Sequence, residues 1–347
     1  RKARAVLEES REAIARCIGA PIDSLIFTSG GTEADNCAVR GTATAMKSRG
    51  RDHIAVSAVE HHAVLDTALA MRKEGFRVDR ARVDQTGTVD LDYLRSLVND
   101  RTALVSVMHV NNEVGTIEPV REAAEIAHSV GAVFHSDAVQ SLGKIPVDVE
   151  QFGVDLLTLS AHKIYGPKGI GALYIRKGVA IDSLLTGGGQ EQNRRAGTES
   201  VPLAAGFAKA AHIAQETMDE DSKRISSLKH ELRQKLAAFH GIVFNGHPER
   251  SIPNILNVSF ETPGIDGEAL IIGMDLRGIA VTSGSACTSG TLEPSHVLMA
   301  MGKSEATARA TIRFSMGRQT TSEDLDRAVD ALREVLSRMR GGENTKF

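Results

Sequence analysis

The sequence has 347 residues, 41% of them apolar, enough for two domains or for one large α/β unit with an appendage. Its net charge of −3 gives no electrostatic case for nucleic acid or an anionic membrane, and no apolar run approaches the ~20 residues of a membrane span. Cys17, Cys37 and Cys287 cannot make a disulfide framework and include no C-x-x-C pair, and no signal peptide opens the chain, which reads as a cytoplasmic protein.

The first residue, Arg1, already lies inside a helical pattern, and apolar residues keep helical spacing over 2–18. Leu25-Ile26-Phe27-Thr28 then reads as a strand running into Ser29-Gly30-Gly31-Thr32, with a helix from there to about Lys47. Thr32 followed by Asp35 resembles a capping box. Paired glycines between a strand and a helix let backbone amides face an anion, so this is either a phosphate cradle or an unoccupied tight turn. It is not a Walker A loop, because the Gly-Lys-Ser/Thr ending is missing.

A second strand at His53–Ser57 exits at Glu60-His61-His62. His61 is placed either for ring stacking and proton transfer or as ordinary polar surface. A short strand near Phe76-Arg77-Val78 and a helix from Asp90 to Val98 follow. The apolar strand Ala103–Met108 exits at His109-Val110-Asn111-Asn112-Glu113, more polar residues than a turn needs. After a helix from Val120 to Val130, the strand Ala132–His135 ends in Ser136-Asp137-Ala138-Val139-Gln140. A carboxylate closing an apolar strand is costly without a cation, and a protonated pyridine nitrogen is one such partner.

The next strand, Val154–Leu159, ends on Ser160-Ala161-His162-Lys163, and Gly166-Pro167-Lys168-Gly169 turns the chain sharply. Lys163 alone reads first as an ordinary surface cation at a strand exit and second as a Schiff-base lysine. The order decides between them. A glycine-rich anion loop, a histidine, an asparagine, Asp-x-x-Gln and Ser-x-His-Lys each follow their own strand. That set supplies a phosphate cradle, an aromatic lid, a pyridinium partner, a phenolate partner and a covalent anchor, as a pyridoxal phosphate site requires.

The polar loop Gly187–Thr198 is too elaborate for a simple connector and reads as a contact across a dimer interface, the alternative being a flexible surface loop. From Pro202 to about Phe239 the chain is almost continuously helical, so a domain boundary is expected near residue 205. Beyond it, strands at Ile242–Phe244, Ile255–Phe260 and Ala310–Ser315 mix with helices at Gly267–Leu276 and Glu323–Met339, the pattern of a small α+β domain. Ser283 to Pro294 surrounds Cys287 with small and polar residues, the setting of an accessible thiol on a moving loop. Arg313 alternates with Ile312 and Phe314, so its planar fork is available to a carboxylate.

Phe27–Glu33, Val59-Glu60-His61, Asn111-Asn112-Glu113, Ser136–Gln140, Ser160–Gly169, Arg195–Thr198 and Ser283–Cys287 together resemble the cysteine desulfurases of the NifS/IscS type. These are fold-type I enzymes of the class V aminotransferase group. The resemblance runs from residue 1 to about 335 in order and spacing. It implies a large domain over 1–205 with a mostly parallel seven-stranded sheet between helices, and a smaller α+β C-terminal domain over 206–347.

The resemblance also implies roles. Lys163 would hold pyridoxal 5'-phosphate and move the substrate's Cα proton, with His61 stacked on the ring. Asp137 would keep the pyridine nitrogen protonated, and Gln140 and Asn112 would bond the phenolate oxygen. Gly31, Thr32, Ser160 and His162 would contact the phosphate. Thr198 would reach the cofactor phosphate of the other subunit, making a homodimer. Arg313, with Asn112, would bind the carboxylate of L-cysteine. Cys287 would take the sulfur as a persulfide for an acceptor protein such as an iron–sulfur scaffold. No metal is required, although Cys287 would suit transient ligation of an iron–sulfur cluster. Family members also begin with a segment carrying an Asn-Ala-Thr-Thr-Pro-like stretch, which is expected to be missing here.

Overall fold

The computed structural model describes residues 1–284 and 293–339. It divides into two compact units. The first comprises Arg1–Val83, Thr88–Asn111 and Glu118–Met218; the second comprises Asp84–Gly87, Asn112–Ile117 and the chain from Asp219 onward. The division falls inside one long helix, and the boundary expected near residue 205 lies in the first turns of that same helix.

In the first unit, seven strands form one sheet: β1 (Leu25–Thr28), β2 (His53–Ser57), β3 (Arg77–Ala81), β4 (Thr102–Ser106), β5 (Val133–Asp137), β6 (Leu156–Ser160) and β7 (Gly171–Ile175), in the order β1-β7-β6-β5-β4-β2-β3. The pairs from β3 through β2, β4 and β5 to β6 are parallel, and only β7 runs against its neighbours β1 and β6. This is the mostly parallel seven-stranded sheet that the strand pattern and the resemblance anticipate. The β2, β4, β5 and β6 strands are buried along their whole length, which is why they read as apolar runs.

Helices cover both faces. They are α1 (Lys2–Cys17), α2 (Gly31–Asn36), α3 (Thr42–Lys47), α4 (His62–Ala70), α5 (Leu91–Leu97), α6 (Val120–Ser129), α7 (Val149–Phe152) and α8 (Val201–Leu236). A π turn at Cys37–Gly41 joins α2 to α3, and Gly41 is required there because a Cβ would lie 2.5 Å from the Asp182 carbonyl oxygen. One core packs Leu7, Ile14 and Ile18 of α1 with Phe134, Leu157 and Phe207. The other packs Ala34, Ala38 and Met46 with Ile54, Leu104 and Val133. Alternation along each strand assigns its residues to one core or the other. Val133, His135 and Asp137 therefore share the face covered by α2 to α4, as do Leu156, Thr158 and Ser160. The sheet thus directs polar side chains at its C-terminal strand ends toward α2.

The second unit contains an antiparallel sheet of β8 (Ile242–Asn245), β9 (Ile255–Phe260) and β10 (Thr311–Ser315) in the order β10-β9-β8. Its further helices are α9 (Gly267–Asp275), α10 (His296–Ala300), α11 (Glu305–Arg309) and α12 (Ser322–Met339). Its core joins Leu232 and Leu236 of α8 with Leu256, Val258, Ile312, Leu270, Met274 and Leu332. Among the described residues no helix is long and apolar enough to cross a membrane.

Candidate active site

The first unit gathers most of the expected site at the C-terminal ends of β5 and β6, next to the start of α2, where ligands bind in open α/β sheets. Asp137 ends β5 and is 5% exposed. Its Oδ1 accepts the Val139 N–H at 2.8 Å. Burial pushes its carboxyl up to about 6, against the Val139 N–H and the positive charge of Lys163, which pull it down. Lys163 lies in a 3-10 turn, Ala161–Ile164, directly after β6. It is exposed, so burial does not single it out. Its electrostatic coupling to Asp137 does.

The turn after Lys163 starts one residue earlier than the Gly166-Pro167 pair suggests. Tyr165 takes the left-handed conformation with φ 65°. Gly166 then donates its N–H to the Ala161 carbonyl at 3.0 Å, so close that a Cβ would meet that oxygen at 2.8 Å. Ser160 Oγ and His162 Nδ1 lie 2.8 Å apart, each fixing the other. Burial and the charges of Lys163, Lys168 and Lys144 lower the His162 pKa, so its ring is neutral at physiological pH. Gln140 Oε1 accepts from Lys144 Nζ at 3.1 Å. His61 caps α4: its Nδ1 accepts the Ala63 N–H at 3.1 Å, which sets the plane of the ring.

The glycine loop differs from its expected capping. Gly30 is the N-cap of α2, and neither Thr32 nor Asp35 caps it. Glu33 accepts the Ser29 N–H at 2.8 Å instead, and a double hydrogen bond from Arg195 at 2.8 and 3.2 Å holds Glu33. Asp35 is 1% exposed because the helix turns it inward to the sheet. A Cβ on Gly31 would meet Val139 Cγ2 at 2.9 Å, so only glycine leaves this approach open. Thr32 is exposed beside it, and Thr198 is exposed at the end of the Gly187–Thr198 loop.

The second unit holds Asn112 and Arg313. Arg313 of β10 donates from Nη1 to the Asn112 carbonyl at 2.7 Å, and its backbone N–H reaches Thr282 O at 2.7 Å. Cys287 lies outside the described residues, and no group of three or more His, Cys, Asp or Glu that could hold a metal occurs among the described ones.

Sequence reading passed over two features. The buried pair of Arg11 and Glu191 ties the Gly187–Thr198 loop to α1; its signal was a cation at helical spacing with Leu7, Ile14 and Ile18. The other is a polar ladder, Ser106, His135 and Thr158, crossing three neighbouring strands on the face toward Asp35. Its signal was a polar residue within the last three positions of each strand.

Comparison with known proteins places this geometry in a family. The family model Aminotransferase class-V matches residues 1–328. The cysteine desulfurase IscS of Dictyoglomus turgidum is 46% identical over 98% of this chain and 86% of its own. That of Methanosarcina thermophila is 45% identical over 95% of this chain and 81% of its own. A solved NifS-like protein superposes with a TM-score of 0.89 at 38% identity, covering 97% of this chain and 88% of the other. The chain belongs to the cysteine desulfurase family. Its cofactor, like that of the family, is pyridoxal 5'-phosphate. The residues fit that group. Asp137 would offer a buried carboxylate at a strand end to a ring nitrogen, Gly31 would leave open an approach that a Cβ would fill, and Lys163 would present an exposed amine whose charge acts on Asp137. The cysteine desulfurase fold also matches the expectation of an α/β sheet domain with a smaller α+β partner.

Proposed function

We propose that this protein removes the sulfur of L-cysteine, releasing L-alanine and holding the sulfur as a persulfide on Cys287. The balance is one thiol plus one cysteine giving one persulfide plus one alanine: the Cβ–S bond breaks, a S–S bond forms, and a proton takes the place of the sulfur on carbon. The observation that carries this reading is the coupling of Lys163 to the buried Asp137 at adjacent strand ends, in a chain of this family.

Bound pyridoxal phosphate supplies an electron sink for bonds at the substrate's α and β carbons. The chain's own residues do the rest. Lys163 anchors the cofactor and shuttles the Cα proton through Nζ. Asp137 holds a proton on the ring nitrogen. Gln140 and Asn112 bond the phenolate oxygen, and His61, fixed by its Nδ1 bond, stacks on the ring and serves in proton transfer. Gly31, Thr32, Ser160 and His162 bind the phosphate. Arg313, whose planar fork suits a carboxylate, orients the substrate with Asn112. Thr198 reaches the phosphate of a second copy's cofactor, so the working enzyme is a cytoplasmic homodimer. The sulfur then passes to an acceptor protein such as an iron–sulfur scaffold.

The test is Lys163→Ala. It should remove the visible absorption of the lysine-bound cofactor and abolish alanine formation from L-cysteine. An unchanged absorption spectrum would overturn the anchor assignment.

A further inference from the structure

Three acids lie together beneath the β5 strand end. Asp35, Glu60 and Asp137 are 1%, 0% and 5% exposed, and each charge acts on its neighbours. Buried carboxylates in one site cannot all ionise, because each charge is desolvated and repelled by the next. The question is which one holds its proton most tightly.

The hydrogen bonds answer it. Asp137 has the Val139 N–H at 2.8 Å and the charge of Lys163. Glu60 has Ser57 Oγ at 2.6 Å, the Met108 N–H at 2.7 Å and Ser106 Oγ at 3.4 Å. Among the described residues Asp35 has the Thr158 hydroxyl, and its Oδ1 has no hydrogen-bond partner. A basic group faces it: His135 Nε2 is 3.6 Å from Asp35 Oδ1. That ring is fully buried, with Nδ1 2.8 Å from Ser106 Oγ and Nε2 3.0 Å from Thr158 Oγ1. Two hydroxyls, each able to donate or accept, satisfy a neutral imidazole completely. Burial holds this histidine far below its ordinary range, at about 3, and lifts Asp35 well above the ordinary aspartate value.

We propose that Asp35 is a neutral carboxylic acid in the folded protein, and that it is a positioning residue which keeps the negative charge on Asp137, facing the cofactor's ring nitrogen. Asp35, Thr158, His135, Ser106 and Glu60 then form one hydrogen-bonded row behind the site, with no charge on Asp35 competing with that on Asp137. The proposal rests on the reading of Asp137 as the ring-nitrogen partner.

The experiment compares Asp35→Asn, a neutral mimic of the protonated acid, with the wild-type holoenzyme. The variant should keep the visible cofactor absorption, with its pH midpoint within about 0.3 unit of wild type and cysteine turnover within about threefold. An ionised Asp35, as in an ion pair with a charged His135, would instead give a midpoint lower by about one unit or more, since a buried charge would have been deleted. That result would overturn the proposal. Should Asp35→Asn fail to fold, infrared spectroscopy of wild-type apoprotein carrying carboxyl-labelled aspartate decides at pH 7.5. A protonated aspartate band supports the proposal and its absence overturns it. Asp137→Asn separates the two readings: if it leaves the cofactor spectrum and its pH midpoint unmoved, the role of Asp137 fails, whatever the state of Asp35.

Discussion

Arg11 and Glu191, 180 residues apart in sequence, meet in two hydrogen bonds of 2.6 and 3.0 Å in the interior of the first unit. Glu191 also accepts the Phe27 N–H at 2.9 Å, and Arg11 donates to the Leu25 carbonyl at 2.8 Å. The pair thus joins α1, β1 and the loop that ends at Thr198. It holds that loop in an expensive conformation, since Glu191, Gln192 and Asn193 have φ of 45°, 59° and 63° without being glycine. Such residues cost about 1–3 kcal/mol each and persist only where surrounding contacts impose them.

Breaking the pair should therefore be costly. Arg11→Ala is expected to destabilise the protein by about 3–5 kcal/mol, because it leaves Glu191 buried without its cation, and Glu191→Ala by somewhat less, because Arg11 keeps the more exposed Glu8 at 3.2 Å. The double variant should cost less than the sum of the two, as coupled partners do. Chemical denaturation measures all three. Single losses under about 1 kcal/mol would mean that the pair does not hold the loop.

Gly31→Ala places a methyl group 2.9 Å from Val139 Cγ2, beside the proposed phosphate cradle. Cofactor affinity should fall at least about tenfold, roughly 1.4 kcal/mol. Adding Val139→Ala should restore most of it. Fluorescence titration of apoprotein with pyridoxal phosphate reads both, and wild-type affinity in Gly31→Ala would remove the cradle from the site.

Glu60 gives a pH dependence with a definite sign. Burial raises its carboxyl from the ordinary 4.5 to about 7, opposed by hydrogen bonds from Ser57, Met108 and Ser106. The folded state thus holds this proton more tightly than the unfolded one. The contribution is fully present below pH 4.5 and is lost as pH rises through about 7, a change on the order of 3 kcal/mol. His135 and His109, held low by burial at about 3 and about 4, act in the opposite direction as pH rises toward 6.5. The difference between wild type and Glu60→Gln isolates the glutamate. Wild-type apoprotein should lose stability relative to the variant between pH 4.5 and 7.5, and parallel curves of melting temperature against pH would exclude a protonated Glu60.

Cys287→Ser separates carbon chemistry from sulfur chemistry. The cofactor spectrum should be that of wild type, because Lys163, Asp137 and Gly31 are untouched, while sulfide release from L-cysteine should fall at least about a hundredfold. Sulfide release at the wild-type rate would show that another group accepts the sulfur.

Much of this protein is determined by its sequence alone. Apolar runs ending in Asp137, in Ser160 and Lys163 and in His61 announce a parallel sheet with polar groups gathered at its strand exits, because a buried strand itself has no need of such groups. The two glycines at the start of α2 and the polar sequence around Cys287 are legible for the same reason, as local departures from what a turn or a core needs. Tertiary structure alone decided which polar groups face each other. Asp35 read as a helix cap and is instead buried against β6, since the sheet, three strands of which sequence cannot place in register, offers Thr158 and His135 to it. Arg11 and Glu191 are likewise paired by the closing of the chain between them. Pairing of buried charges depends on contacts between distant segments, and burial, which makes those contacts energetically decisive, exists only once the sheet has formed.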